Sequence, residues 1–126
     1  MARILVIDDD VEICTLTKRF LLLDGHEVDT AENGAVGLKM AGRNPYELVI
    51  TDVVMPEQDG IGVVMELQKL YPHIKIIVMT GGGAKMSISE LLKMTKFMKA
   101  DRGLPKPLDF ENLLETVREL LEPVKS

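Results

Sequence analysis

The stretch Leu48-Val49-Ile50-Thr51-Asp52-Val53-Val54-Met55-Pro56-Glu57-Gln58-Asp59-Gly60 decides the fold of this chain. It opens as an apolar run rich in β-branched residues, the pattern of a strand covered on both faces. Asp52 falls where that strand should end. Met55-Pro56 follows, and Pro56 is expected to stop ladder pairing and turn the chain. Asp59-Gly60 is a turn and helix-start signal. Asp52 therefore stands at the carboxyl end of a buried strand, the edge where open α/β sheets place their ligand crevice. By itself it reads equally well as a strand-end carboxylate that hydrogen-bonds the next turn.

The flanking sequence repeats this strand-then-helix pattern. Ala2 to Ile7 is an apolar run broken only by Arg3, and it ends in Asp8-Asp9-Asp10. Ile13, Leu16, Phe20 and Leu23 then recur at helical spacing, with Gly25 as the C-terminal stop. Asp9 is the expected cap of this helix, with Glu12 completing a capping box. Glu27 to Ala31 reads as a short outer strand, and Asn33-Gly34 opens a second helix closed by Asn44-Pro45. A third helix starts at Gly60, with Ile61, Val64, Leu67 and Tyr71 on one face, and ends at Pro72. Ile74 to Met79 is another apolar strand finishing at Thr80, followed by Gly81-Gly82-Gly83. Ser87 and Glu90 form a capping box for a fourth helix bearing Leu91, Met94 and Met98. A short strand is expected around Arg102 to Leu104, confined by Pro105 to an edge. Asp109 caps the last helix, whose apolar stripe runs from Phe110 to Leu121, with Leu108 and Leu113 stapling its entrance. Five such β-then-α units predict an α/β fold, a doubly wound five-stranded parallel sheet with helices on both faces; they are too few for a barrel.

Totals narrow the function. The chain has 126 residues, which makes one domain, and 28% charged residues with a net charge of −5. That balance argues against direct nucleic-acid binding or an anionic membrane surface. Nothing resembles a membrane span or a signal peptide. The single cysteine, Cys14, allows no internal disulfide and fits a cytoplasmic protein. His26 and His73 both fall in predicted turns, so a histidine-based metal site is not expected.

In the predicted sheet the ends of the first, third, fourth and fifth strands share one crevice. They carry Asp8 and Asp9, Asp52, Thr80 and Lys106. Two carboxylates about 5 Å apart repel by ~3 kcal/mol at an effective dielectric near 20. Three together call for a raised pKa or a cation. Oxygen-only ligands select a hard ion, Mg²⁺ first. Thr80 offers a hydroxyl donor and Lys106 a point charge suited to a phosphoryl group. Pro107 biases Lys106 to an extended backbone. Singly, Asp9 reads as a helix cap, Thr80 as a strand end and Lys106 as a solvated lysine; their joint placement at four strand ends favours a site.

With those residues in view, the whole chain resembles a response-regulator receiver domain, single-domain and CheY-like. The residues that carry the likeness are the apolar strand into Asp8-Asp9, Asp52 with Met55-Pro56 and Asp59-Gly60, Thr80 after Ile76 to Met79, and Lys106-Pro107. The resemblance implies a flavodoxin-like strand order 2-1-3-4-5. It implies that Asp52 accepts a phosphoryl group from a sensor histidine kinase or a histidine phosphotransfer protein. It further implies Mg²⁺ held by Asp8, Asp9, Asp52 and the backbone carbonyl of Val54, with Thr80 and Lys106 on the phosphoryl oxygens. A cis Lys106-Pro107 bond and a downstream protein target reached through a switching surface also follow from it. Such a protein catalyses only its own phosphorylation and dephosphorylation and is not otherwise an enzyme. Residues 1–122 form the expected receiver domain and 123–126 a tail, with no output domain.

The chain departs from that family at two places, and a third feature bears on the lifetime of the phosphoryl group. Gly103 stands where receivers usually carry an aromatic residue coupled to the threonine. The segment from Thr80 to Lys106 is longer than usual, so activation is expected to be read through loop and fourth-helix movement. Val54 and Gly82 bring no polar side chain to hold an attacking water, so slow self-dephosphorylation is expected. Met86, Met94 and Met98, interleaved with Lys93, Lys96 and Lys99, suggest either core packing or a partner surface. Three rival functions compete with the receiver reading. A haloacid-dehalogenase-type phosphatase needs more length and a different residue from Glu12. A flavodoxin-like nucleotide binder would meet repulsion from Asp8 to Asp10. A constitutive adaptor that never uses its phosphosite is disfavoured by the intact site.

Overall fold

A computed structural model describes residues 2–55, 58–80 and 87–122. Its strands are β1 (Arg3–Ile7), β2 (Glu27–Ala31), β3 (Leu48–Asp52), β4 (Val54–Met55), β5 (Gln58–Asp59), β6 (Lys75–Thr80) and β7 (Arg102–Pro105). The helices are α1 (Val11–Leu23), α2 (Gly34–Arg43), α3 (Gly60–Leu70), α4 (Ile88–Met98) and α5 (Phe110–Leu121). Five strands pair in parallel in the order β2-β1-β3-β6-β7, which is the expected 2-1-3-4-5 order once the small β4-β5 pair is set aside.

Period-two alternation sends each inner strand's side chains to two layers. Leu5, Ile7, Val49, Ile76 and Val78 pack with Val64 and Leu67 of α3, Ala41 of α2 and Met98 of α4. Ile4, Val6, Leu48, Ile50, Ile77 and Met79 pack with Leu21 of α1 and with Leu113 and Val117 of α5. The continuous apolar runs of β1, β3 and β6 are thus the signature of strands covered twice. Met98 belongs to the core and Met94 is partly buried against it, while Met86 lies outside the described residues.

Two expectations fail locally. Asp10, not Asp9, caps α1, its carboxylate accepting from the backbone amides of Glu12 and Ile13 at 2.9 and 3.3 Å. The buried stripe of α1 is Cys14, Thr17 and Leu21, whereas Leu16 and Leu23 face outward. This helix is apolar on several sides, so its spacing selects no face; contact with β2 and α5 does. Phe20 stacks on Phe110 with ring centroids 4.5 Å apart, locking that choice. The second failure follows Asp52: Val54–Met55 pairs antiparallel with Gln58–Asp59, so ladder pairing resumes on both sides of Pro56. Pro56 itself lies outside the described residues. Gly60 closes this turn because a Cβ there would sit 2.5 Å from the Val53 backbone.

Among the described residues no helix is long and apolar enough to cross a membrane.

Candidate functional site

Asp8 continues the row of Ile4 and Val6 one step past the end of β1, and Asp52 continues the row of Leu48 and Ile50 at the end of β3. Because β1 and β3 are neighbours in parallel register, the two carboxyl groups emerge side by side. Both are buried, at 1% and 4% exposure, while Asp9 is exposed. One carboxylate oxygen from each of Asp8, Asp9 and Asp52 lies within 4.8 Å of the others. Asp10 as the helix cap explains this: Asp9 is released from capping and stands over the buried pair. The Asp10 amide donates to Asp8 Oδ1 at 2.9 Å and holds the Asp8 carboxylate in place.

Lys106 joins the cluster from the far edge of the sheet. Its Nζ donates to Asp8 Oδ2 at 2.7 Å and to Asp52 Oδ2 at 2.8 Å. The Lys106 amide donates to the Thr80 carbonyl at 2.7 Å, and the Lys106-Pro107 bond is cis, as expected. Thr80 closes the group at the end of β6. Its hydroxyl is buried and has no hydrogen-bond partner among the described residues. A buried hydroxyl left unpaired carries a desolvation cost that a ligand oxygen would relieve.

Burial is the largest influence on Asp8 and pushes its carboxyl above the ordinary range, against the hydrogen bonds from Lys106 and the Asp10 amide. For Lys106, burial pulls downward, but the hydrogen bonds to Asp52 and Asp8 outweigh it and the ammonium titrates above its usual value. The two directions pull the pair's charge state opposite ways. Lys106 meets two carboxylates at hydrogen-bond distance, so we read it as charged at neutral pH. Three carboxylates against one ammonium leave a formal charge of −2, which a divalent cation cancels. All the carboxylate donors are hard oxygens, and the residues fit Mg²⁺ or a similar ion.

The structure thus brings Asp8, Asp9, Asp52 and Lys106 together and ends β6 at Thr80 beside them. Val54 lies two residues past Asp52 in the short β4, while Gly81 to Met86, including Gly82, lie outside the described residues. Sequence reasoning missed Cys14. Its thiol donates to the Asp8 carbonyl at 3.3 Å, and burial, then the Asp8 charge, push it up to about 11. It is a structural thiol that holds the start of α1 against the end of β1. Its spacing from Asp8 carries no motif that could have announced this.

The family model of the response regulator receiver domain matches residues 4–118. The chain belongs to the response-regulator receiver family. It is 36% identical over 118 residues to the transcriptional regulatory protein ZraR of Escherichia coli, covering 94% of this chain and 26% of that protein. It is 35% identical over 124 residues to the DNA-binding transcriptional regulator NtrC of Azospirillum brasilense, covering 95% and 24%. The receiver therefore spans about a quarter of the length of these relatives. Among solved structures, the chemotaxis protein CheY4 of Vibrio cholerae superposes with a TM-score of 0.84 at 28% identity, covering 96% of this chain and 99% of that one. The response regulator TrrA of Thermotoga maritima, solved in complex with Mg²⁺-BeF, gives 0.81 at 39% identity, covering 96% and 100%. Receivers are signalling modules of two-component systems and interact with histidine kinases.

Proposed function

We propose that Asp52 is the phosphoacceptor of this receiver, taking its phosphoryl group from a sensor histidine kinase or a histidine phosphotransfer protein. The observation that carries this is the convergence of Asp8, Asp9 and Asp52 with Lys106 bridging the two buried carboxylates. An Asp52 carboxylate oxygen attacks phosphorus, the P–N bond of the donor phosphohistidine breaks, and the imidazole leaves with the electron pair and takes up a proton. Lys106 already stands 2.8 Å from the Asp52 carboxylate, so its ammonium is placed to follow the charge onto the phosphoryl oxygens. The Thr80 hydroxyl, unpaired at rest among the described residues, gains an acceptor when the acyl phosphate forms. Asp8, Asp9, Asp52 and the Val54 carbonyl would hold Mg²⁺. When bound, that ion supplies positive charge that offsets the transferring group.

TrrA, a relative with 39% identity, was solved with Mg²⁺ and BeF together, which supports the same pairing of metal and phosphoryl mimic in this chain. Lifetime of the acyl phosphate is a second part of the reading. Val54 and Gly82 lack the polar groups that would position water, so decay is slow, and Val54→Asn with Gly82→Glu should speed it. The direct test is intact mass after incubation with Mg²⁺ and acetyl phosphate. Wild type should gain one phosphoryl group and Asp52→Ala none. Equal gain in both would move the acceptor elsewhere.

A further inference from the structure

One pair of helices leaves an apolar seam open to solvent. Gln68 of α3 donates from Nε2 to the carbonyls of Met98 and Lys99, at 2.9 and 2.7 Å, and so holds α3 beside the last turn of α4. Met65 lies three residues before Gln68, on the same side of its helix. Met94 and Phe97 share a side of α4, and Met94 and Ile61 of α3 are both partly buried against the same core layer. The seam between the helices is therefore floored by Ile61 and Met94 and opens on Met65 and Phe97. Phe97 is 78% exposed and Met65 59%. The other aromatic side chains are used by the fold: Phe20 and Phe110 stack, Tyr46 is buried and Tyr71 packs against the core.

Charge gathers on the same two helices. Together with the cap residue of α4 they carry Lys69, Lys93, Lys96 and Lys99 against Glu66 and Glu90, in a chain whose net charge is −5. Glu90 accepts from the Ser87 amide and hydroxyl within its own capping box. Among the described residues none of the four lysines is in an ion pair. Lys69 follows Met65 by one turn and Lys93 precedes Phe97 by one turn, so an ammonium stands beside each exposed apolar side chain. Solvated lysines alone would mark nothing; an exposed aromatic and a methionine framed by them mark an interaction surface.

We propose that the seam between α3 and α4 docks an amphipathic helix of a partner protein, its apolar stripe seated on Phe97, Met65 and Met94 and its flanks acidic. A groove between two packed helices takes a third along its length, because apolar residues recurring every three or four positions reach both walls. Phe97 supplies a rigid anchor and the methionines an adaptable lining. The acidic flanks follow from the lysines. A second copy of this chain is a poor occupant: its own exposed apolar helix face, Leu16, Leu22 and Leu23 of α1, carries Lys18 and Arg19 among those side chains, which would meet lysines. Phe97 stands in the last turn of α4, about 13 Å along the axis from Ile88. The surface is thus separate from the carboxyl-edge cluster and does not depend on which residue accepts a phosphoryl group.

The test is amide NMR on the isotope-labelled full chain, titrated with a synthetic amphipathic peptide of about four helical turns. The peptide carries leucines at i, i+3, i+4 and i+7 and glutamates on both flanks. One control keeps the leucine stripe with lysine flanks, and a second scrambles the order of the acidic peptide. The acidic peptide should shift the amides of Met65, Gln68, Lys69, Lys93 and Phe97, and neither control should. Phe97→Ala, and separately Lys69→Glu with Lys93→Glu, should each weaken binding at least about tenfold. Met65→Ala gives an independent arm should Phe97→Ala fold poorly. The proposal is overturned if the acidic peptide shifts nothing at millimolar concentration, shifts amides elsewhere, or binds these variants as tightly as wild type. Equal binding of the lysine-flanked peptide would overturn the acidic partner. A concentration-dependent dimer in sedimentation that Phe97→Ala abolishes would give the seam to a second copy and overturn it as well.

Discussion

The same strands end in opposite ways at the two edges of the sheet. At the amino edge, polar groups pair off. Arg118 of α5 forks onto Asp24 at 2.6 and 3.0 Å, Tyr46 donates to Asp29 at 2.7 Å, and Ala2 donates its amide to His26 Nδ1 at 3.2 Å. At the carboxyl edge, one lysine faces three carboxylates and a buried hydroxyl goes unpaired among the described residues. At the amino edge most of these groups are paired within the chain, His26 Nε2 being left without a hydrogen bond among the described residues, and the pairs hold the chain together. The carboxyl edge is left with excess negative charge and an unpaired hydroxyl, which on the function proposed above a cation and a phosphoryl oxygen would balance. Unbalanced buried charge is costly to fold, and its concentration at one end of the sheet marks where function outweighs stability.

Breaking the carboxyl edge should have the largest effect. Lys106→Met leaves Asp8 and Asp52 facing each other without their shared ammonium. We expect a loss of about 3 kcal/mol in urea unfolding without metal, much of it regained with Mg²⁺. A variant as stable as wild type without metal would mean the lysine is not neutralising the pair.

Asp8→Asn sharpens the contrast by separating binding from folding. Removing one of the three charges should weaken Mg²⁺ binding at least about tenfold by calorimetry. Stability without metal should hold or rise, because burial already disfavours the Asp8 carboxylate. A variant that lost stability and metal in parallel would make Asp8 a structural group like those at the amino edge.

The amino edge should show its own pH dependence. Burial, ahead of the opposing Asp24 charge, holds the His26 pKa below its ordinary value. The folded state therefore takes this proton at lower pH than the unfolded chain. The stability that neutral His26 provides is present above about pH 6.5 and lost as pH falls through the folded pKa. Thermal unfolding from pH 7.5 to 5.5 should show Tm dropping by a few degrees, and His26→Gln should flatten that slope. Smallest of all is Arg118→Ala. This exposed pair should cost only a slight fall in Tm and leave phosphoryl uptake from acetyl phosphate unchanged.

Much of this was legible along the chain because its signals are local. Asn33, Ser87 and Asp109 cap the helices where a short polar residue precedes an apolar stripe. Gly25, at φ 89°, follows α1 because only glycine adopts that conformation freely. The strands ending in Asp8, Asp52 and Thr80 were plain from apolar runs that stop at a polar residue. The cap of α1 was not: three successive aspartates offer three equivalent caps, and the choice of Asp10 depends on where β1 releases the chain. The pairing across Pro56 was hidden because a two-residue ladder leaves no periodicity to detect.

The sequence by itself determined the five βα units, the double covering of the sheet and the set of acidic, hydroxyl and ammonium groups at one edge. Side-chain period and capping chemistry act within a few residues, so they are written in the order of the letters. Tertiary structure alone decided that Lys106 bridges Asp8 and Asp52, 98 and 54 residues away. It also decided that Cys14 braces Asp8 and that Thr95 sits in the space left by Gly103. Those meetings depend on how closely whole elements pack, to within an ångström, and no spacing along a chain encodes that distance.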